Sequence, residues 1–120
     1  MAENNERTRI LFVDDEQKVL DGLKHTLYRM RRQWRMQFVT SGDEALNVMS
    51  EHPVDVVVAD MKMPHMDGIK LLEEVRKRHP DTIRLILSGR SDREMIKRSV
   101  GVAHQFLAKP CDVDVLKKAI

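Results

Sequence analysis

The sequence has little from which several kinds of protein could be built. A single cysteine, Cys111, can close no internal disulfide and forms no CxxC pair; this excludes a disulfide scaffold or dithiol centre and fits a reducing compartment. Cys111 itself reads as a small residue beside a turn. No apolar run approaches the ~20 residues of a membrane span, and residues 1–7 are polar where a signal peptide needs an apolar segment. We expect a flexible N-terminal tail there, a cytoplasmic location and no membrane contact. Charge of one sign is also missing: 21 Lys and Arg face 19 Asp and Glu, so no basic excess points to nucleic acid. The one basic run, Arg29 to Arg35, falls where a helix is expected to end, and cations there complement the helix dipole. No GxGxxG or Walker loop follows the first apolar run, where Asp14-Asp15-Glu16 would repel phosphate. His25, His52, His65, His79 and His104 lack ligand spacing with one another or with Cys111, which argues against zinc.

What is present is an alternation of short apolar runs with amphipathic segments. At 120 residues, 42% of them hydrophobic, the chain fits one domain with a real core. Its organising stretch runs from Val54 to Gly68, an apolar β-branched run that ends in Asp60 and is followed by Met63-Pro64 and Asp67-Gly68. Such a run reads as a buried strand, and the residues after it force a loop. Burial of an isolated carboxylate is costly, so Asp60 is expected to be presented at the strand end rather than buried.

In chain order, Arg9–Val13 predicts a first strand closed by Asp14 and Asp15. Val19, Leu20, Leu23, Leu27 and Met30 recur at helical steps, and Trp34 is expected to anchor the connection to a brief strand, Met36–Val39. Ser41 and Glu44 stand at capping-box spacing before a helix from Ala45 to Ser50. After the Asp60 strand come a helix from Gly68 to Arg78 and a strand Ile83–Leu87 closed by Ser88-Gly89. A helix capped by Asp92 then runs to Ser99, followed by a strand Gln105–Ala108 closed by Lys109-Pro110 and a last helix capped by Asp112. That helix still carries its apolar stripe at Ile120, as in a chain truncated within it. Alternating β and α elements predict an α/β fold, with a parallel sheet covered on both faces. In such sheets the ligand site lies at the carboxyl ends of the strands. Asp14, Asp15, Asp60, Ser88 and Lys109 would all gather there.

Clustered carboxylates repel one another unless a cation neutralises them, and all-oxygen ligation suits a hard ion such as Mg²⁺. Lys109 and Ser88 on the other side would suit a tetrahedral phosphoryl group, and a carboxylate can itself be the phosphoryl acceptor. A salt-bridged structural cluster is the bland explanation of any one of these residues, but not of four strand ends that agree.

These residues carry a family resemblance. Val13-Asp14-Asp15-Glu16, Asp60-Met61-Lys62-Met63-Pro64-His65-Met66-Asp67-Gly68, Leu87-Ser88-Gly89 and Phe106-Leu107-Ala108-Lys109-Pro110 resemble the receiver domain of two-component response regulators. The resemblance covers essentially the whole chain and assigns residues 8–120 to that domain. It implies a flavodoxin-like (βα)5 fold, a doubly wound parallel sheet of strand order 2-1-3-4-5. Asp60 would be the phosphoacceptor, served by the phosphohistidine of a sensor histidine kinase or by a phosphotransfer protein. Asp15, Asp60 and the Lys62 backbone carbonyl would hold Mg²⁺ (or Mn²⁺), with Asp14 acting mainly through metal-bound water. Ser88 and Lys109 would contact the phosphoryl oxygens, and Ser88 and Phe106 would form the switch. Lys62 and Arg90 would modulate hydrolysis by shielding the acyl phosphate.

The same resemblance implies a signalling domain rather than an enzyme, with a C-terminal output domain (the string Gly101 to Asp112 resembles receivers joined to HD-type domains) and a phosphorylation-dependent homodimer. Gly101 stands one residue earlier than the family pattern, which predicts a reshaped loop before the last strand and a non-standard output face. Three rivals are an aspartyl-nucleophile hydrolase, an interaction module independent of phosphorylation, and a nucleotide binder. The first needs an acid at position 62, where Lys62 stands, and the second leaves the filled chemical positions unexplained.

Overall fold

The computed structural model describes residues 7–61, 63–64, 66–88, 103–108 and 113–120, with backbone only at Ser88, Gln105, Phe106 and Ala108. Its strands are β1 (Thr8–Val13), β2 (Trp34–Val39), β3 (Val56–Asp60), β4 (Ile83–Ser88) and β5 (Gln105–Ala108). All pair in parallel, in the order β2-β1-β3-β4-β5. Between them lie α1 (Gln17–Thr26), α2 (Gly42–Glu51) and α3 (Gly68–Arg78), and a C-terminal helix spans Val113–Ala119. This is the doubly wound α/β fold that the sequence implied.

Both faces of the central strands are covered. Leu11, Val13, Val57 and Ala59 pack with Leu46 and Met49 of α2 and Leu72 and Val75 of α3. Their alternates Ile10, Phe12, Val56 and Val58 pack with Leu20 and Leu23 of α1 and Leu116 of the C-terminal helix. A strand buried on two sides has no polar alternation to show, which is why β3 reads as a continuous apolar run.

α3 and β5 fall where the sequence puts them; α2 begins at Gly42, directly after its Ser41 cap, three residues before the expected Ala45, and two other elements differ further. The helical pattern from Val19 to Met30 is not one helix. α1 stops at Thr26, and a 3₁₀ turn, Tyr28–Met30, follows. Its Met30 amide donates to the Leu27 carbonyl at 2.9 Å, a tighter repeat that still buries Leu27 and Met30 while turning the chain toward β2. β2 itself begins at Trp34 rather than Met36. Trp34 pairs with Thr8 and is buried on the α1 face, while Arg35 and Gln37 are exposed, the alternation of an edge strand. The basic run keeps only part of its expected role: the Arg31 guanidinium donates to the Tyr28 carbonyl at 3.1 Å, but Arg35 is a strand residue. The expected helix from Asp92 to Ser99, Gly101, Cys111 and the Asp112 cap lie outside the described residues. Among the described residues, no helix is long and apolar enough to cross a membrane.

Candidate functional site

β1 and β3 are neighbours at the centre of the sheet, and the order reverses between them: the chain leaves β1 for β2 on one side and β3 for β4 on the other. A crevice opens at such a point, outside the carboxyl ends of the strands. Val13 is opposite Ala59, so Asp14 and Asp60 are the next residues along two adjacent strands. One ligand atom from each of Asp14, Asp15 and Asp60 lies within 4.8 Å of the others. The Asp14 amide donates to the Val39 carbonyl at 3.1 Å, continuing the ladder with β2. Its Oδ1 accepts the Glu16 amide at 2.9 Å, which turns the chain toward α1.

The exposure expected of Asp60 is corrected by the structure. Asp60 is only 5% exposed and Asp14 only 2%, whereas Asp15 faces solvent. The loop after β3 folds back upon the strand end. The Met61 amide donates to the Leu87 carbonyl at 3.1 Å, and the Gly68 amide to the Met61 carbonyl at 3.0 Å. α3 therefore starts against the backbone of Asp60. A Cβ at residue 68 would collide with the Asp60 carbonyl oxygen and come within 3.1 Å of Met61 Cα, so only glycine fits. Asp67 caps α3, its Oδ1 accepting the Lys70 amide at 2.8 Å. The sequence pattern starts a helix at Gly68 but shows neither the Asp67 cap nor the close approach of residue 68 to Asp60. The signal was an Asp directly before a helical apolar pattern.

Three carboxylates so close repel one another strongly when ionised, and a hard divalent cation relieves this best. The donor set is all oxygen, it combines two buried acids with one exposed acid, and it matches the few carboxylates with which Mg²⁺ is usually held. Among the described residues this is the one His, Cys, Asp and Glu group that could hold a metal, so no zinc-type set accompanies it.

The phosphoryl side of the expected site is placed by backbone alone. Asp60 is opposite Leu87, and Ser88, the next residue, is opposite Ala108. The end of β4 thus lies beside the end of β3, and the end of β5 beside that of β4, and Lys109 directly follows Ala108 in the chain. Phe106 pairs with Ile86. Lys62, Arg90 and Lys109 lie outside the described residues, as do the side chains of Ser88 and Phe106.

A parallel sheet in this order, with acids converging at the ends of its two central strands, defines a receiver-type signalling domain. The chain belongs to the response regulator receiver domain family, whose model matches residues 10–120. It is 36% identical over 109 residues to the hydrogenase transcriptional regulatory protein HoxA of Cupriavidus necator, covering 89% of this chain but 22% of that regulator. It is 31% identical to the probable chemotaxis protein CheY of Rhizobium etli, over 96% of this chain and 91% of that protein. Among solved structures, the receiver domain of an HD domain-containing protein from Pseudomonas fluorescens Pf-5 superposes with a TM-score of 0.85 at 29% identity, covering 95% of this chain and 91% of that one. The receiver domain from Clostridium thermocellum superposes at 0.83 with 31% identity, covering 93% and 90%.

Proposed function

We propose that this domain is a phosphorylation-controlled switch with Asp60 as its acceptor. A carboxylate oxygen of Asp60 attacks the phosphorus of a phosphohistidine on a sensor histidine kinase or phosphotransfer protein. The P–N bond breaks, its electron pair returns to the imidazole nitrogen, and that nitrogen takes up a proton. Asp60 is left as an acyl phosphate, which water later hydrolyses to carboxylate and inorganic phosphate. Asp15, Asp60 and the Lys62 carbonyl would hold Mg²⁺ (or Mn²⁺), with Asp14 acting mainly through metal-bound water. The bound ion supplies charge neutralisation at the phosphoryl oxygens. Lys109 and Ser88 pair with the remaining oxygens; Ser88 and Phe106 carry the change to the face made by the fourth helix, β5 and the last helix. Lys62 and Arg90 shield the acyl phosphate. The observation that carries this reading is the convergence of Asp14, Asp15 and Asp60 within 4.8 Å at the switch point of the sheet.

The domain proper spans residues 8–120 after a tail of residues 1–7, works in the cytoplasm and makes no direct contact with nucleic acid. Its output is a C-terminal domain, read as HD-type on the likeness to the Pseudomonas fluorescens receiver. The transcriptional regulator among the relatives marks the alternative. Phosphorylation favours a homodimer through the same output face, which sedimentation with and without phosphodonor would detect.

The decisive experiment is incubation with acetyl phosphate and Mg²⁺. A mass gain of one phosphoryl group, lost in Asp60→Asn and without metal, supports the switch. Multiple turnover of the donor would favour a hydrolase. No gain with any donor would leave an interaction module of the same fold that works without phosphorylation.

A further inference from the structure

Away from the acidic site, a groove runs along the edge strand β2 where the end of α1 and the 3₁₀ turn meet the sheet. It encloses about 390 Å³, and no carboxylate lines it. Its floor is apolar: Trp34 is buried, and Met36 and Phe38 are each half-buried on the α1 face. Phe38 is held flat against Phe12, with ring centroids 5.0 Å apart. The rim is basic. Lys24 Nζ stands 5.4 Å from the Phe38 ring centroid, and the Arg31 guanidinium lies 3.9 Å from the ring centroid of Tyr28, which is 61% exposed. Arg7 and Arg35 complete the rim, Arg7 donating to the Arg31 carbonyl at 2.9 Å.

Among the described residues, none of Arg7, Lys24, Arg31 and Arg35 lies in an ion pair. Two of these cations rest on aromatic faces, which orders them without neutralising them. The outer hydrogen-bonding edge of β2 is also open, since β2 pairs with β1 alone among the described strands.

We propose that this groove docks an extended acidic polypeptide segment of a partner protein, anchored by one large apolar side chain. Carboxylates on the segment meet the basic rim, the anchor enters over Met36 beside the Lys24-covered Phe38 ring, and the backbone lies along the open edge of β2. A floor of Trp, Met and Phe ringed by Arg and Tyr is the make-up of a protein-recognition surface. Strand addition is the general way in which a free sheet edge receives a peptide. Nucleic acid fits less well: one face of Tyr28 is already covered by Arg31, and the floor is apolar where a phosphate-tracking groove would be charged throughout. The proposal is independent of Asp60 chemistry.

The test uses the ¹⁵N-labelled chain and a fluorescein-labelled peptide of Asp and Glu residues around a single central Phe. Expected are amide shifts confined to Arg7, Thr8 and residues 24–38 and binding that weakens at least about tenfold with Arg31→Glu or Arg35→Glu, and again when the peptide Phe is replaced by Ser. Both variants should keep the parent circular dichroism and accept phosphate at Asp60 as before, so failure here and failure of the switch reading are separable. Shifts elsewhere or none, equal binding of the Ser peptide, or tighter binding of a single-stranded oligonucleotide or of phosphatidylglycerol vesicles would each overturn the proposal.

Discussion

The amide of Arg84 donates to Nδ1 of His104 at 2.9 Å, and the amide of His104 donates back to the carbonyl of Arg84 at 2.7 Å. The imidazole thereby accepts a β4 amide just ahead of the first residue of β5, and it can do so only with Nδ1 unprotonated. Although His104 is exposed, partial desolvation, and then the nearby Arg84 charge, hold its pKa below the ordinary value.

A histidine kept neutral by the fold stabilises it fully above the unfolded value, about pH 6.5, and that contribution is lost as pH falls through the lower folded value. Urea midpoints between pH 7.5 and pH 5 should therefore decline. His104→Phe should flatten this part of the profile and cost about 1 kcal/mol at neutral pH, because the Arg84 amide loses its acceptor. An unchanged pH slope would refute the coupling.

Gly68→Ala should destabilise the protein by about 2 kcal/mol, since the new methyl meets backbone rather than a flexible side chain. Gly42→Ala is the control. There the methyl would meet the Met66 side chain, which can move, so a smaller loss in the urea midpoint is expected.

At the start of α2, Ser41 Oγ accepts the Glu44 amide at 3.1 Å, and Ser41→Ala should cost about 1 kcal/mol. Glu44 does not close the expected box on Ser41; its Oε1 takes the Thr40 hydroxyl at 2.7 Å and the Thr40 amide at 3.0 Å. Those bonds, the hydroxyl first, lower the Glu44 pKa. Its contribution is thus present above about pH 4.3 and fades as pH falls through the lower folded value. Thr40→Val should shift that fading upward in an acid titration followed by circular dichroism.

Mg²⁺ should raise the unfolding midpoint, by about 2.7 kcal/mol in stability once the ion stands near a hundredfold above its dissociation constant. Asp15→Asn should do two opposite things: raise stability without metal, by removing one of three crowded charges, and shrink the increment that Mg²⁺ adds. Denaturation with and without EDTA reads both.

The lifetime of the acyl phosphate at Asp60 should shorten in Lys62→Ala and in Arg90→Ala if those side chains screen it from water. Phosphoryl loss followed by mass spectrometry gives the answer, and unchanged lifetimes in both variants would refute that role.

Much of this molecule could be read before its structure was in hand. Apolar period and breakers placed the five strands and the start of α3, and a parallel sheet necessarily gathers the residues after its strands on one edge. Asp14, Asp15 and Asp60 could thus be grouped from chain order alone. Trp34 was harder, because its exposed neighbours Arg35 and Gln37 dilute the apolar signal that an edge strand shows on one face only. The end of α1 is not legible in the apolar pattern, because a 3₁₀ turn keeps Leu27 and Met30 buried, as a helix would.

The sequence by itself determined the α/β class, the family and the set of acids, since these depend on local pattern and on order along the chain. Tertiary structure alone decided that Asp60 is buried, that Gly68 must be glycine to let α3 start on the Asp60 carbonyl, and that the His104 imidazole accepts the Arg84 amide. The physical reason is shared: each depends on how closely segments distant in sequence approach in space, and sheet register and loop closure set that distance where local periodicity does not.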